Sequence, residues 1–235
     1  LAVFTGPGSA FATSGNMSGS PIVYEDDEAL TGLCSYADYV LAYERDIVMP
    51  QDDSVMQFTK HGRRIILRRS RGMAPEYYPN PFIGSNDTVM ALGAELKSCF
   101  AILNKNNLYV SQYLGRQDSY EAQQSYRNTL QHMVRLLHLK PSAILIDKHP
   151  QYHVSDFGKK LAEEAGLALN TIQHHAAHFC AVLQENDLFN TTEPVLGVIW
   201  DGTGYGDDGQ IWGGEFSTWQ DGDLYRHGQG RRYHA

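Results

Sequence analysis

Two hydrophobic periods alternate along the second half of the sequence. Thr88–Leu92, Ala143–Ile146, Leu169–Ile172 and Val195–Trp200 are short apolar runs, the pattern of buried strands. Between the first two, Tyr126, Leu130, Val134 and Leu137 keep one apolar face at helical spacing. Asp118 is the predicted N-cap of that helix, with Glu121 three residues on completing a capping box. Ser155–Glu164 predicts a second helix closed by Gly166, and Ala176–Gln184 a third. Cys99–Leu103 and Leu108–Tyr113 flank Asn104-Lys105-Asn106-Asn107, residues that favour a hairpin turn. Helices alternating with short buried strands predict an α/β fold with parallel or mixed pairing.

The first 75 residues read differently. Ala2–Thr5 and Phe11–Thr13 are short strand candidates, followed by the polar loop Ser14-Gly15-Asn16-Met17-Ser18-Gly19. The acidic run Glu25–Glu28 predicts the start of a helix reaching about Ala37, because carboxylates suit the positive end of a helix. Tyr39–Tyr43 reads as a strand. Val55–Thr59 and Arg64–Leu67, joined by His61-Gly62, read as a hairpin. Three prolines (Pro75, Pro79, Pro81) then fall within seven residues, which disfavours helix and sheet alike. The resulting division is residues 1–75, a linker over 76–87, and a longer unit over 88–235.

Composition narrows the function classes. The chain has 235 residues, 42% of them hydrophobic, enough for a sizeable core. Its net charge of −8 argues against general nucleic-acid binding. Three cysteines, Cys34, Cys99 and Cys180, are too few for a disulfide framework and too far apart for a CxxC zinc site. A reducing, cytoplasmic setting is the expectation. No apolar run approaches the about 20 residues of a membrane span, and a signal peptide is not expected from the first residues, which Gly, Ser and Thr interrupt. Cys180, among Phe179, Ala181, Val182 and Leu183, reads as a buried thiol rather than a nucleophile.

Three constellations carry candidate chemistry. In Gln173-His174-His175-Ala176-Ala177-His178, His174 and His178 stand four apart, so a helix puts both rings on one face where they can share a metal ion. No glutamate sits inside the repeat, so the metalloprotease pattern is absent. On a helix His175 points elsewhere, either to support the ligands from behind or to the surface. The second constellation, Asp201-Gly202-Thr203-Gly204-Tyr205-Gly206-Asp207-Asp208-Gly209, directly follows the strand Val195–Trp200. Glycines there can present backbone N–H groups to a phosphate or an oxyanion. Asp201 supplies the oxygen that a two-histidine site lacks, a donor set that Fe(II), Zn and Mn share. Neither the P-loop nor the dinucleotide fingerprint is present. The third joins the Ser14–Gly19 loop to Arg63, Arg64, Arg68, Arg69 and Arg71. Five arginines in nine residues of an acidic protein point to an anionic partner.

Taken together, these segments resemble the HypF family, the carbamoyltransferases of NiFe-hydrogenase maturation. Residues 11–72 resemble the end of a YrdC-like domain, through SGNMSGSPI (14–22), QDDSV (51–55) and LRRSRG (67–72). Residues 88–216 resemble the first lobe of a domain related to the tRNA threonylcarbamoyl transferase TsaD, of actin/Hsp70-like fold. There the matching motifs are ALGAELKS (91–98), Asp147-Lys148-His149-Pro150, QHHAAH (173–178) and DGTGYGDDGQIWGGEF (201–216). A YrdC-like unit before a TsaD-like unit is the HypF order; antibiotic O-carbamoyltransferases reverse it. An O-carbamoyltransferase of the same superfamily and a non-catalytic metal- or nucleotide-binding module are the alternative readings.

The resemblance implies carbamoyl phosphate and ATP as substrates, carbamoyl-adenylate as intermediate, and the C-terminal cysteine of HypE as acceptor. It implies His174, His178 and Asp201 as ligands of a divalent metal, with Mg accompanying ATP. It implies Gly202, Thr203, Gly204, Tyr205 and Gly206 as a phosphate-contact loop. Ser14, Asn16 and Ser18, with Arg68 and Arg71 nearby, match a YrdC-type nucleotide loop. It assigns no catalytic residue. The family's acylphosphatase-like domain, its zinc fingers, the front of the YrdC-like domain and the second TsaD-like lobe are not expected here. The match fades beyond Phe216, and the isolated chain is expected to lack carbamoyl transfer.

Overall fold

Parallel and antiparallel pairing meet in one six-stranded sheet, and the candidate histidines directly follow one of its parallel strands. The computed structural model describes residues 2–4, 10–12, 15–16, 22–36, 44–80, 82 and 86–229. In chain order the strands and helices are β1 (Ala2–Phe4), β2 (Ala10–Ala12), α1 (Asp26–Leu33), β3 (Val55–Phe58), β4 (Arg64–Arg68) and β5 (Glu76–Pro79). They continue with β6 (Thr88–Ala91), β7 (Ala101–Asn104), β8 (Asn107–Val110), α2 (Tyr120–Leu136), β9 (Ala143–Asp147), α3 (His153–Ala165) and β10 (Ala168–Ile172). The last are α4 (His174–Glu185), β11 (Val195–Ile199), β12 (Gly204–Tyr205), β13 (Ile211–Trp212), β14 (Glu215–Gln220) and β15 (Asp223–Gln229).

The large sheet runs in the order β10-β9-β6-β7-β8-β5. β6, β9 and β10 are parallel neighbours, and β7, β8 and β5 continue antiparallel. This is the mixed α/β architecture that the alternating pattern predicts. Met90, Leu92, Ile102, Ile144 and Ile146 bury one face of it against Tyr126, Leu130 and Met133 of α2 and Val154 and Ala162 of α3. Each of the valine, leucine, isoleucine and methionine side chains stabilises the fold by about 1.5–3 kcal/mol on removal from water. The Tyr126 hydroxyl, buried with its ring, donates to the Leu92 carbonyl at 2.6 Å. α3 ends at Gly166 in the left-handed conformation (φ 63°), as predicted.

Several local expectations shift. Ser119, not Asp118, caps α2: its hydroxyl accepts the Ala122 N–H at 3.1 Å, while Asp118 pairs with Arg116 at 2.8 Å. Glu121 therefore completes no capping box. α1 stops at Leu33, short of the predicted end at Ala37. The segment expected as linker supplies an edge strand: Glu76, Tyr77, Tyr78 and Pro79 pair with Val110, Tyr109, Leu108 and Asn107. An edge strand is hydrogen-bonded on one side only, and there proline is tolerated. The Val55–Arg68 hairpin forms, and β1 pairs with β2. The predicted strand Tyr39–Tyr43 lies outside the described residues.

A second, three-stranded antiparallel sheet has the order β11-β14-β15. Ile199 packs with Phe179 and Leu183 of α4, with Trp219 and Leu224 against them. A Cβ on Gly197 would stand 2.7 Å from the Phe179 ring, so β11 and α4 lie in close contact. That contact sets the end of β11 beside the start of α4.

Candidate metal centre

The chain leaves β11 at Ile199 and reaches Asp201 two residues later, while α4 begins at His174. Gln173 caps α4, its side-chain oxygen accepting the Ala176 N–H at 3.0 Å. On α4, His174 and His178 stand one turn apart and project together, as their spacing predicts. His174 Nε2 and His178 Nε2 are 3.2 Å apart. Asp201 Oδ2 lies 3.2 Å from the first and 3.6 Å from the second. Asp201 Oδ1 is held by the Gly202 N–H at 2.7 Å, but Oδ2 is buried and accepts no hydrogen bond.

Behind His174 stands Asp147, the last residue of β9. Its Oδ2 is 2.6 Å from His174 Nδ1, and its Oδ1 accepts the His149 N–H at 2.8 Å. The carboxylate claims the Nδ1 proton, which leaves the Nε2 lone pair facing Asp201. This is the carboxylate–histidine pairing that orients metal ligands. The Asp147 hydrogen bond raises the pKa of His174, against the opposing effect of burial. Burial, then the neighbouring His174, lowers that of His178.

The donor set fits a divalent cation. Two nitrogen lone pairs and a carboxylate oxygen converge, and a buried oxygen without a hydrogen bond is costly unless a positive charge satisfies it. Ligand bonds of about 2.0–2.2 Å put neighbouring ligand atoms about 3.0–3.5 Å apart, close to the separations here. Among the described residues, His174, His178 and Asp201 bring ligand atoms within 4.8 Å of one another.

The glycine-rich segment folds into the β12–β13 hairpin over this centre, Gly204 opposite Trp212 and Tyr205 opposite Ile211. Its glycines are needed for close approach. A Cβ on Gly204 would fall 2.4 Å from His175 Cε1, and one on Gly206 would fall 2.1 Å from Trp212 Nε1. Two of the N–H groups expected to face a phosphate are used within the segment. Gly202 binds Asp201 Oδ1, and Gly206 binds the Gln210 carbonyl at 2.8 Å. Gly202 and Thr203 are exposed, whereas Gly204 and Gly206 are buried and Tyr205 is half-buried. Lys148 pairs with Asp207, tying the turn after β9 to the hairpin.

Arg68 and Arg71 are both bound to the segment 51–53. Arg68 Nε donates to the Asp53 carbonyl at 2.8 Å and pairs with Asp52 at 3.7 Å. Arg71 donates to the Gln51 carbonyl at 3.3 Å and pairs with Asp53 at 3.7 Å. Asn16 is half-buried beside Gly15, whose carbonyl accepts the Val23 N–H. Ser14 and Ser18 lie outside the described residues. Cys180 is half-buried and burial raises its pKa, in keeping with an unreactive thiol. No helix among the described residues is long and apolar enough to cross a membrane.

Known proteins share this sequence and fold. Residues 84–185 match the HypF Kae1-like domain, and residues 197–234 match the second subdomain of the carbamoyltransferase Kae1-like domain. Residues 3–70 match the Sua5/YciO/YrdC family, described as telomere recombination. The second match runs to residue 234, well past Phe216, where the resemblance read from sequence alone fades. Carbamoyltransferase HypF of Synechocystis sp. is 41% identical over 216 residues, covering 89% of this chain and 27% of that protein. The probable carbamoyltransferase HypF of Methanocaldococcus jannaschii is 38% identical over 217 residues, covering 92% and 28%. The crystal structure of T. kodakarensis HypF superposes with a TM-score of 0.81 at 35% identity, over 92% of this chain and 28% of that one. Full-length HypF in its phosphate- and nucleotide-bound form gives 0.79 at 32% identity, over 91% and 32%. The chain thus spans between 27% and 32% of the length of these relatives.

Proposed function

Because the chain belongs to the HypF carbamoyltransferase family, we propose that its residues serve ATP-dependent carbamoyl transfer through carbamoyl-adenylate. In this reading, carbamate released from carbamoyl phosphate attacks the α-phosphorus of ATP through a carboxylate oxygen, and pyrophosphate leaves. The thiolate of the C-terminal cysteine of HypE then attacks the carbamoyl carbon. The carbon–oxygen bond to the phosphate breaks, and AMP departs with the electron pair. Ser14, Asn16, Ser18, Arg68 and Arg71 are assigned to nucleotide recognition in the first step, arginine suiting phosphate oxygens by its bidentate geometry.

For the second step, the observation that carries the reading is the convergence of His174 Nε2, His178 Nε2 and Asp201 Oδ2. His174, His178 and Asp201 would hold a divalent ion, which would supply charge neutralisation for a bound phosphate. Asp147 keeps the Nδ1 proton of His174, so that Nε2 stays a donor to the ion. Of the segment Gly202, Thr203, Gly204, Tyr205 and Gly206, the exposed Gly202 and Thr203 are the side that receives the phosphate, on a hairpin fixed by its own backbone bonds and by the Lys148–Asp207 pair.

The test is a titration of Zn2+, Mn2+ and anaerobic Fe2+ into the purified chain, wild type against His178→Ala, followed by ATP in the presence of the preferred ion. Saturable metal binding that weakens by at least about 10-fold in His178→Ala is expected, in line with losses at metal-supporting residues. Equal affinities in the two proteins would remove the metal assignment. Metal binding without any ATP binding would favour a metal module over a transferase.

A further inference from the structure

We infer that His175 is a positioning residue of this centre: its Nε2–H is set by Gln173 to support the Asp201 carboxylate that faces His174 and His178. The inference rests on the metal reading above and adds to it a residue which the three-ligand set leaves out.

The helix cap fixes the chain of hydrogen bonds. Gln173 Oε1 accepts the Ala176 N–H at 3.0 Å, so the other end of that amide is the NH2 group. This group donates to the Tyr205 carbonyl at 3.2 Å and meets His175 Nδ1 at 3.0 Å. Flipping the amide would set oxygen against the Tyr205 carbonyl and NH2 against the Ala176 N–H, so the assignment is unique. Nδ1 of His175 is therefore an acceptor. A neutral imidazole that accepts at Nδ1 carries its proton on Nε2.

That Nε2–H has no hydrogen-bond partner, although it is buried and the residue is only 2% exposed. It lies 3.9 Å from Asp201 Oδ2, itself buried and without a hydrogen bond. A buried donor and a buried acceptor thus lie 3.9 Å apart, beyond hydrogen-bonding distance. A carboxylate oxygen that binds a cation keeps a second lone pair, and ligating carboxylates are characteristically hydrogen-bonded in turn. The ring is held in place by its packing. Gly204 approaches so closely that an added Cβ would stand 2.4 Å from His175 Cε1, and the Trp212 ring stacks against it at 6.4 Å.

The full chain is tested as wild type, His175→Phe and His175→Gln. Phenylalanine keeps the ring's bulk without a donor; the glutamine amide NH2 stands in for Nε2–H. Zn2+ titration is expected to weaken about 10–100-fold in His175→Phe and to recover most of that loss in His175→Gln. Imidazole 15N spectra of the metal-free wild type, which do not depend on the variants folding, are expected to give the Nε2–H tautomer. Wild-type binding with unchanged affinity in His175→Phe overturns the role and leaves the three ligands standing; so does an Nδ1–H tautomer. No Zn2+ binding by the wild type removes the metal reading and this role together.

Discussion

Asp147 Oδ2 lies 2.6 Å from His174 Nδ1, joining the end of β9 to the first turn of α4 across 27 residues of sequence. The contact decides which nitrogen of His174 is free. Replacing Asp147 by Asn keeps the size and removes the charge, so the ring loses its fixed tautomer. Metal affinity is expected to fall about 10–100-fold in Asp147→Asn, as for other residues that orient a ligating histidine. Calorimetric titration of the ion measures it, and affinity within twofold of wild type would show that Asp147 does not orient the ligand.

The same pair makes a pH prediction for the metal-free chain. Asp147 raises the pKa of His174, so the folded state holds that proton more tightly than the unfolded state does. The stabilisation is fully present below the unfolded value of about 6.5 and is lost as pH rises through the raised folded value. Burial moves His175 and His178 the other way, which makes total stability a mixture. The difference between wild type and Asp147→Asn isolates what Asp147 adds, which is largest on His174 and acts in the same direction on His178. Melting temperatures taken in chelator from pH 5 to 9 should differ most at the acid end and converge toward the alkaline end. A gap that widens with pH contradicts the assignment.

A third prediction concerns the cap of α2. Ser119 accepts the Ala122 N–H, whereas Asp118 makes an exposed pair with Arg116. Ser119→Ala should cost about 0.5–2 kcal/mol, the usual value of a lost N-cap. Asp118→Ala should stay within about 0.5 kcal/mol, since exposed ion pairs contribute little. Urea unfolding of both variants separates them, and the reverse order would restore Asp118 as the cap.

That cap marks the limit of what the sequence discloses. Asp118 and Ser119 are adjacent and both cap well, so composition cannot choose between them; only the backbone geometry does. Periodicity reports which face of a segment is buried, and so the parallel strands, α2, α3 and the 104–107 turn are all legible. β5 is not, because its pairing with β8 is non-local and its proline is acceptable only at an edge. In the centre, His174 and His178 are legible from their four-residue spacing, and Asp201 from its place after a strand. Asp147 stands out in sequence only as part of a turn motif; its link to His174 depends on β9 and α4 ending side by side. The hairpin's use of its own N–H groups is likewise invisible until Gly206 meets the Gln210 carbonyl.

The glycines over the centre give the most discriminating prediction. Gly202 and Gly204 are two residues apart in one exposed-looking, glycine-rich stretch, yet their surroundings are opposite. Nothing lies within 4 Å of a Cβ built on Gly202. A Cβ on Gly204 meets His175 Cε1 at 2.4 Å, His175 Nδ1 at 2.8 Å and His174 Cβ at 3.1 Å. His175 cannot yield cheaply, because its ring is buried, bonded to Gln173 and stacked near Trp212. Gly204→Ala should therefore push the hairpin off α4, at about 1–3 kcal/mol for an overpacked site. It should also weaken metal binding, since Asp201 is carried by the same segment. Gly202→Ala should change stability by no more than about 0.5 kcal/mol, as for a surface substitution. Unfolding and metal titration on the two variants check both halves. Equal tolerance of alanine at 202 and 204 would mean that the hairpin does not rest on the histidine helix.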